Sequence, residues 1–143
     1  MERLIKKKLS RLKEYVHYLR KLKDTQLKTF EADFKVRGAA ERYLHLAIES
    51  VIDIGNEIIS ILQMRKPDQY KDIPIILAES GIIPKDFAAE IVKMIGFRNL
   101  LVHDYAIIDT ASEYEFLETR LTDFEKYMKH VANWLKTKPF EHK

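Results

Sequence analysis

The chain has 143 residues, of which 46% are hydrophobic and 33% charged, with four glycines and four prolines. This balance is typical of a single globular helical domain and excludes a disordered chain. Cysteine is absent, which excludes disulfides, thiolate metal sites and cysteine nucleophiles and favours a cytoplasmic location. The net charge is only +3, and no stretch approaches the roughly 18 apolar residues of a membrane span, so we expect a soluble protein.

The first two predicted elements are long helices. Residues 4–22 form an amphipathic helix with apolar side chains at steps of three and four residues. A longer helix is predicted from Asp33, which suits an N-cap, to about Gln63, shortly before Pro67. Its apolar residues form more than one stripe, so we expect it to bury two faces, the second against another subunit. They are Ala40, Tyr43, Leu44, Ala47, Ile48, Val51, Ile52, Ile54, Ile58, Ile59 and Leu62.

The second half of the chain predicts three more helices. A short one covers residues 73–79 before Gly81, and Pro84 suits the first turn of a helix that runs through Arg98. A final amphipathic helix is predicted from about Ser112 to Lys136. No segment alternates with period two, so the predicted fold class is all-α. We expect one domain, residues 1–143, folded as an antiparallel helical bundle.

The sequence FRNLLVHDY, residues 97–105, places Arg98 and His103 in the most apolar stretch of the fourth predicted helix. A buried cation without a partner costs several kcal/mol, so an acidic or polar group must face it. On an ideal helix the two side chains are turned about 140° apart. We therefore predict that the helix ends near His103 and that the backbone is extended from His103 through Tyr105. An extended backbone puts the side chains of His103 and Tyr105 on the same side.

Arginine and histidine together suit metal-free cleavage of RNA. Histidine titrates near neutral pH and can take the proton of a ribose 2′-hydroxyl or protonate the leaving oxygen. The guanidinium stays charged and fits phosphate oxygens. One histidine cannot easily perform both proton transfers, whereas a symmetric dimer would supply two.

Two other interpretations of these residues remain open. Arg98 can pair with Glu49 or Asp53 across the bundle while His103 caps a helix end, and spacing alone slightly favours this structural role. His45, Glu49 and Asp53 share one face of the long helix at four-residue steps, which favours a polar stripe facing a groove over a metal site. We expect no metal and no cofactor.

The segment GFRNLLVHDYAIID, together with RGAAERYLHLAIESVIDIGNEII ahead of it, resembles the HepT toxin family of the HEPN superfamily. The likeness extends over essentially the whole chain and includes the R-x4-H-x-Y motif. It implies a homodimeric helical bundle with a metal-independent ribonuclease site at the dimer cleft.

The resemblance also implies roles for single residues. Arg98 and His103 would be the catalytic pair, and Asn99 the polar residue that follows the arginine. Asp53 would match the acidic or amide residue of the preceding helix. Tyr105 would accept AMP units from a separate protein, a minimal nucleotidyltransferase antitoxin, as in a type VII toxin–antitoxin module.

The resemblance leaves a second function open, because a fold can host several functions. A non-catalytic dimer could hold a nucleotidyltransferase partner or a nucleotide in its cleft. A third possibility, an inert structural bundle, predicts that neither RNA nor a partner binds.

Overall fold

The computed structural model of the chain describes residues 2–102 and 110–137. Helices make up nearly all of the described chain, and these residues contain no strand, which confirms the all-α prediction. The helices are α1 (Glu2–Lys23), α2 (Leu27–Ala32), α3 (Phe34–Ile61), α4 (Asp72–Glu79), α5 (Lys85–Val102), α6 (Thr110–Thr119) and α7 (Leu121–Lys136). Within the described ranges, none is both long enough and apolar enough to cross a membrane.

The long helix α3 lies at the centre of the bundle and contacts α1, α4, α5 and α7. The prediction that it buries two faces is confirmed, but its apolar residues pack against other helices of the same chain. The apolar surplus that led us to expect a second subunit on this helix is therefore buried within the chain. Its buried residues are Ala40, Leu44, Ala47, Ile48, Val51, Ile52, Ile54, Gly55, Ile58, Ile59 and Ile61.

The predicted start of α3 is confirmed by its cap. The Asp33 carboxylate accepts hydrogen bonds from the backbone N–H groups of Lys35, at 2.9 Å, and Val36, at 3.5 Å. These bonds satisfy donors that the first turn of a helix otherwise leaves free. The helix ends at Ile61, close to the predicted Gln63, whose φ of 52° takes the chain out of the helix.

Close approach at Gly55 fixes how α4 and α7 pack on α3. A Cβ atom at this position would lie 2.4 Å from Cγ2 of Ile73 and 3.2 Å from the Tyr127 hydroxyl. That hydroxyl donates a hydrogen bond of 2.9 Å to the carbonyl of Val51, and burial raises the pKa of Tyr127. The contact holds three helices in one arrangement, and this arrangement sets the position of the polar face of α3.

The C-terminal region differs from its prediction. In place of one helix from Ser112 to Lys136, the chain forms α6 and α7, with Arg120 between them at φ −111° and ψ −2°. The apolar pattern continues across the break, and neither glycine nor proline marks it. Tertiary contacts explain the break, because the Arg120 side chain bonds to Glu90 at 2.6 Å and lies 3.4 Å from Asp123.

The short helix α2 was also not predicted. With six residues it is too short for a readable apolar period, and its one buried side chain is Phe30. The hydroxyl of Tyr114 donates to the carbonyl of Thr25, at 2.8 Å, just before α2 begins. Phe30 and Tyr114 also pack edge to face at 5.5 Å, so α2 is held by tertiary contacts.

Candidate functional site

Arg98 lies on α5, and its side chain is only 17% exposed. Its Nε donates a hydrogen bond of 2.6 Å to Oε1 of Glu49 on α3, and its Nη2 contacts the same oxygen. Its Nη1 donates to Oδ1 of Asn99 at 3.3 Å. The acidic partner expected from the cost of burying a cation is thus present, and of the two candidates it is Glu49.

Tyr70 covers one side of the guanidinium. The Cζ atom of Arg98 lies over the Tyr70 ring, 5.1 Å from its centroid, within the range of a cation–π interaction. Tyr70 precedes α4, in the segment that joins α3 to α4. Arg98 is therefore fixed from two directions, by a carboxylate and by an aromatic face.

A polar groove opens beside this pair, between α1, α3 and the segment that carries Tyr70. Its volume is about 330 Å³. Its lining confirms that the polar stripe of α3 faces a groove at Glu49 and Asp53. The groove is lined by Lys8, Arg11, Tyr15, Leu46, Glu49, Ser50, Ile52, Asp53, Asn56 and Tyr70.

Charges of both signs face the polar groove. Asp53 accepts a hydrogen bond of 2.6 Å from Lys8 of α1, so it contacts α1 and not Arg98. The Nε2 atom of His45 lies 3.4 Å from Oε1 of Glu49, which places an imidazole next to the Arg98–Glu49 pair. In residues 2–102 and 110–137, no cluster of three histidine or carboxylate side chains could hold a metal ion.

The structure thus brings together three of the sequence-predicted site residues, Arg98, Asn99 and Glu49. Asp53 lines the same groove with a different partner. His103 and Tyr105 lie outside the described residues, as does the predicted extended segment between them. Their roles remain predictions.

Sequence reasoning missed Tyr70 and Lys8. Tyr70 is an exposed aromatic residue outside any predicted helix, and its only sequence signal is its position after the turn at Pro67. Lys8 belongs to a run of three lysines on an amphipathic helix, a pattern more typical of a solvated face. Both positions depend on how α1 and the α3–α4 segment pack beside α3, which neither periodicity nor spacing determines.

The family model described as ribonuclease HepT-like matches residues 5–131, a range that includes the whole of FRNLLVHDY. The chain belongs to the HepT-like family. This confirms the resemblance that the motif and the long helix indicated.

Two relatives and one solved structure illustrate the range of this HepT-like chain's similarity. The tRNA nuclease HepT of Aphanizomenon flos-aquae is 27% identical over 134 residues, which cover 94% of this chain and 91% of the relative. The mRNA nuclease HepT of Shewanella oneidensis is 29% identical over 99 residues, 69% of this chain and 74% of the relative.

The solved structure is that of a tri-AMPylated Shewanella oneidensis HEPN toxin in complex with its MNT antitoxin. It superposes with a TM-score of 0.86 at 25% identity, over 93% of this chain and 99% of that one. The HepT-like fold assignment therefore extends over nearly the full described bundle.

Proposed function

We propose that this chain is the ribonuclease toxin of a type VII toxin–antitoxin module, an endoribonuclease that acts at the site containing Arg98 and His103. Its HepT-like family membership and the names of its relatives, a tRNA nuclease and an mRNA nuclease, support this function. The single structural observation that carries it is Arg98, held by Glu49 and Tyr70 beside the polar groove. A fixed cation beside a groove suits the binding of an RNA phosphate.

The chemistry assigns one role to each group. Arg98 binds the scissile phosphate and stabilises the charge that develops on its oxygens. His103 takes the proton of the 2′-hydroxyl or gives a proton to the leaving 5′-oxygen. Glu49 and Asn99 orient the guanidinium through the hydrogen bonds that they accept, whereas Asp53 holds Lys8 at the groove.

A homodimer with both motifs at a shared cleft would supply the second histidine that the reaction needs. Leu100, two residues after Arg98 on α5, is 46% exposed, and Ile75 on the adjoining α4 is also exposed. Exposed large apolar side chains of this kind suit coverage by a second copy of the chain. Sedimentation at micromolar concentration measures the oligomeric state. A monomer at that concentration would contradict the mechanism that uses two histidines.

Cleavage is expected to be independent of metal and to leave a 2′,3′-cyclic phosphate, because the nucleophile is the neighbouring hydroxyl. We expect His103→Ala to lose activity by roughly 100-fold or more, the effect of removing a positioned acid or base. His17→Ala is the matched control, since His17 is exposed on α1 and does not line the groove. Full activity of His103→Ala, or loss of wild-type activity in EDTA, would contradict the mechanism.

The proposed partner is a minimal nucleotidyltransferase antitoxin, since the matched HEPN toxin was solved in complex with an MNT antitoxin and carries AMP units. We propose Tyr105 as the acceptor. Tyr105 follows Arg98 by seven residues. The negatively charged phosphodiester of an AMP unit attached to Tyr105 would compete with the RNA phosphate for the Arg98 guanidinium. Silencing would then occur by occupation of the site, with the helical circular-dichroism signal unchanged.

Intact mass spectrometry after incubation with the transferase, ATP and Mg²⁺ tests the acceptor. Wild type is expected to gain mass in steps of AMP and to lose ribonuclease activity, whereas Tyr105→Phe gains none and stays active. Equal mass added to both proteins would show that another residue is the acceptor.

One observation favours a second candidate function. Both Nε and Nη2 of Arg98 contact Glu49, so the guanidinium has an acidic partner within the chain. A dimer that binds a nucleotidyltransferase or a nucleotide without cleaving would tolerate such a pair. RNA binding without cleavage by wild type, unchanged in His103→Ala, would favour this binding module over the ribonuclease.

A further inference from the structure

A second cavity adjoins the polar groove at the segment that joins α3 to α4. This turn pocket has a volume of about 210 Å³ and shares Asn56 and Tyr70 with the groove. It is lined by Asn56, Lys66, Pro67, Asp68, Gln69 and Tyr70. Pockets for drug-sized ligands span roughly 300–1,000 Å³, so this volume suits a smaller group.

Tyr70 connects the turn pocket to Arg98. One face of its ring lies against the guanidinium, 5.1 Å from Cζ, yet the residue remains 45% exposed. Ring surface is thus available to another planar group next to the phosphate-binding cation. Aromatic side chains in such positions stack on the bases of single-stranded nucleic acid.

The pocket charges favour an uncharged ligand. The cation of Lys66 and the carboxylate of Asp68 both line it, so it offers no net attraction to a phosphate. Asn56 is exposed on α3, and it lines both the polar groove and the turn pocket. An amide can both donate and accept, as the edge of a base requires.

Hydrogen bonds within the chain hold the segment that carries Tyr70 in place. The Asp72 carboxylate accepts hydrogen bonds from the backbone N–H groups of Asp68, at 3.0 Å, and Gln69, at 3.1 Å. Arg65 makes two hydrogen bonds to Glu79, at 2.9 and 3.1 Å. A preformed wall lowers the ordering cost of binding.

We propose that the turn pocket binds one nucleobase of the RNA whose phosphate Arg98 holds, with the Tyr70 ring stacked on the base and the Asn56 amide contacting its edge. This inference rests on the proposed ribonuclease function and gives the site a means of preferring certain bases. Tyr70 would act on substrate directly as well as holding Arg98.

Binding measurements in the His103→Ala background test the subsite without cleavage. Fluorescence anisotropy would compare a labelled single-stranded RNA of mixed sequence with a series that carries one abasic site at each position in turn. At one position, loss of the base is expected to weaken binding roughly 10-fold, within the range measured for base–aromatic stacking. The Tyr70→Leu protein is expected to bind the intact RNA with the same roughly 10-fold loss of affinity. The abasic site at that position then causes no further loss.

Two variants control for other causes. Tyr70→Phe keeps the ring and is expected to retain the position-dependent loss. Phe34→Leu removes an aromatic residue that is 70% exposed but lines neither cavity, and it should leave the series unchanged. A Tyr70→Leu effect that is equal at every abasic position would mean that Tyr70 only holds Arg98, which would overturn the subsite.

A nucleobase could also arrive as AMP, so the same proteins are titrated with free AMP. Binding of AMP that depends on Tyr70, together with equal effects of the abasic site at every position, would assign the pocket to a mononucleotide and overturn the RNA proposal.

Asn56→Ala is expected to reduce the discrimination among bases at the sensitive position of the RNA. An unchanged base preference would contradict the contact between Asn56 and the base edge. If wild type cleaves RNA but the abasic site weakens binding equally at every position, only the subsite is refuted. If the loss depends on position but wild type does not cleave RNA, only the ribonuclease proposal is refuted.

Discussion

Helix α5 carries two arginine–glutamate pairs that are chemically alike and differ in their surroundings. Towards its end, Arg98 bonds to Glu49 of α3, and nearer its start, Glu90 bonds to Arg120 at the α6–α7 junction, each at 2.6 Å. The two glutamates are almost equally exposed, whereas the Arg98 side chain is 17% and the Arg120 side chain 35% exposed. An ion pair therefore does not identify a functional site by itself. The residues around each pair distinguish a functional pair from a structural one.

The surroundings of the Arg98–Glu49 pair are what we expect of a binding site. An aromatic face covers the guanidinium, a polar groove opens beside it, and a histidine follows five residues later in the sequence. The Glu90–Arg120 pair instead lies where two helices meet, next to the buried carboxylate of Asp123. We therefore expect the first pair to affect catalysis and the second to affect stability.

Replacing each arginine by alanine is expected to give the largest contrast. Arg98→Ala removes the cation that we propose stabilises the phosphorus oxygens, and it should lower kcat/KM for RNA cleavage by roughly 100-fold or more. Arg120→Ala leaves Asp123 without its cation and should destabilise the fold by about 1–3 kcal/mol, with cleavage unchanged well below the melting temperature. Urea unfolding and steady-state cleavage of both variants measure this. Equal losses of activity would refute the distinction between the pairs.

How far the sequence predicts these features depends on the kind of contact. Apolar periodicity predicted α1 and α3, Asp33 marked the start of α3 and Pro84 that of α5, because burial and capping act along one helix. The choice between Glu49 and Asp53 as the partner of Arg98 was left open. These residues are one turn apart on the same face, and only the packing of α3 against α5 selects Glu49.

The same limit explains the missed junction at Arg120. Its local signals are weak, since threonines at 119 and 122 lower helix propensity only slightly and the apolar pattern continues through Leu121. The energy that ends α6 comes from contacts with Glu90, which is 30 residues away in the chain. Distant partners of this kind are not visible in a periodicity.

Neutralising each glutamate sharpens the comparison with a smaller change. Glu49→Gln keeps the size of the side chain but weakens the bond that orients Arg98, and we expect a loss of roughly 10-fold or more in kcat, since small misplacements reduce rates steeply. Glu90→Gln is the matched control and should cleave like wild type. Steady-state kinetics decide the point. If Glu49→Gln instead lowered KM with kcat unchanged, Glu49 would be a competitor of the phosphate and not its positioning partner.

The smallest expected effect is a difference in pH dependence between two carboxylates beside Arg120. The hydrogen bond from Arg120, with a further one from Lys93, lowers the pKa of Glu90. Burial raises the pKa of Asp123, and Arg120 only partly offsets this. Because one pKa is lowered and the other raised, the two groups contribute to stability with opposite signs.

For Glu90 the stabilisation is complete above the ordinary glutamate pKa of about 4.3 and is lost as the pH falls through the lowered value. For Asp123 the folded state keeps a proton that the unfolded state has released, so stability declines as the pH rises from about 3.9 to the raised value. The melting temperatures of Asp123→Asn and Glu90→Gln, each compared with wild type from acid to neutral pH, should therefore change in opposite directions. Relative to wild type, Asp123→Asn should gain stability as the pH rises from about 3.9 to the raised pKa, whereas Glu90→Gln should lose stability as the pH rises towards about 4.3. Difference curves of the same sign would mean that both pKa values shift in the same direction on folding, which would contradict the opposite effects assigned to Glu90 and Asp123.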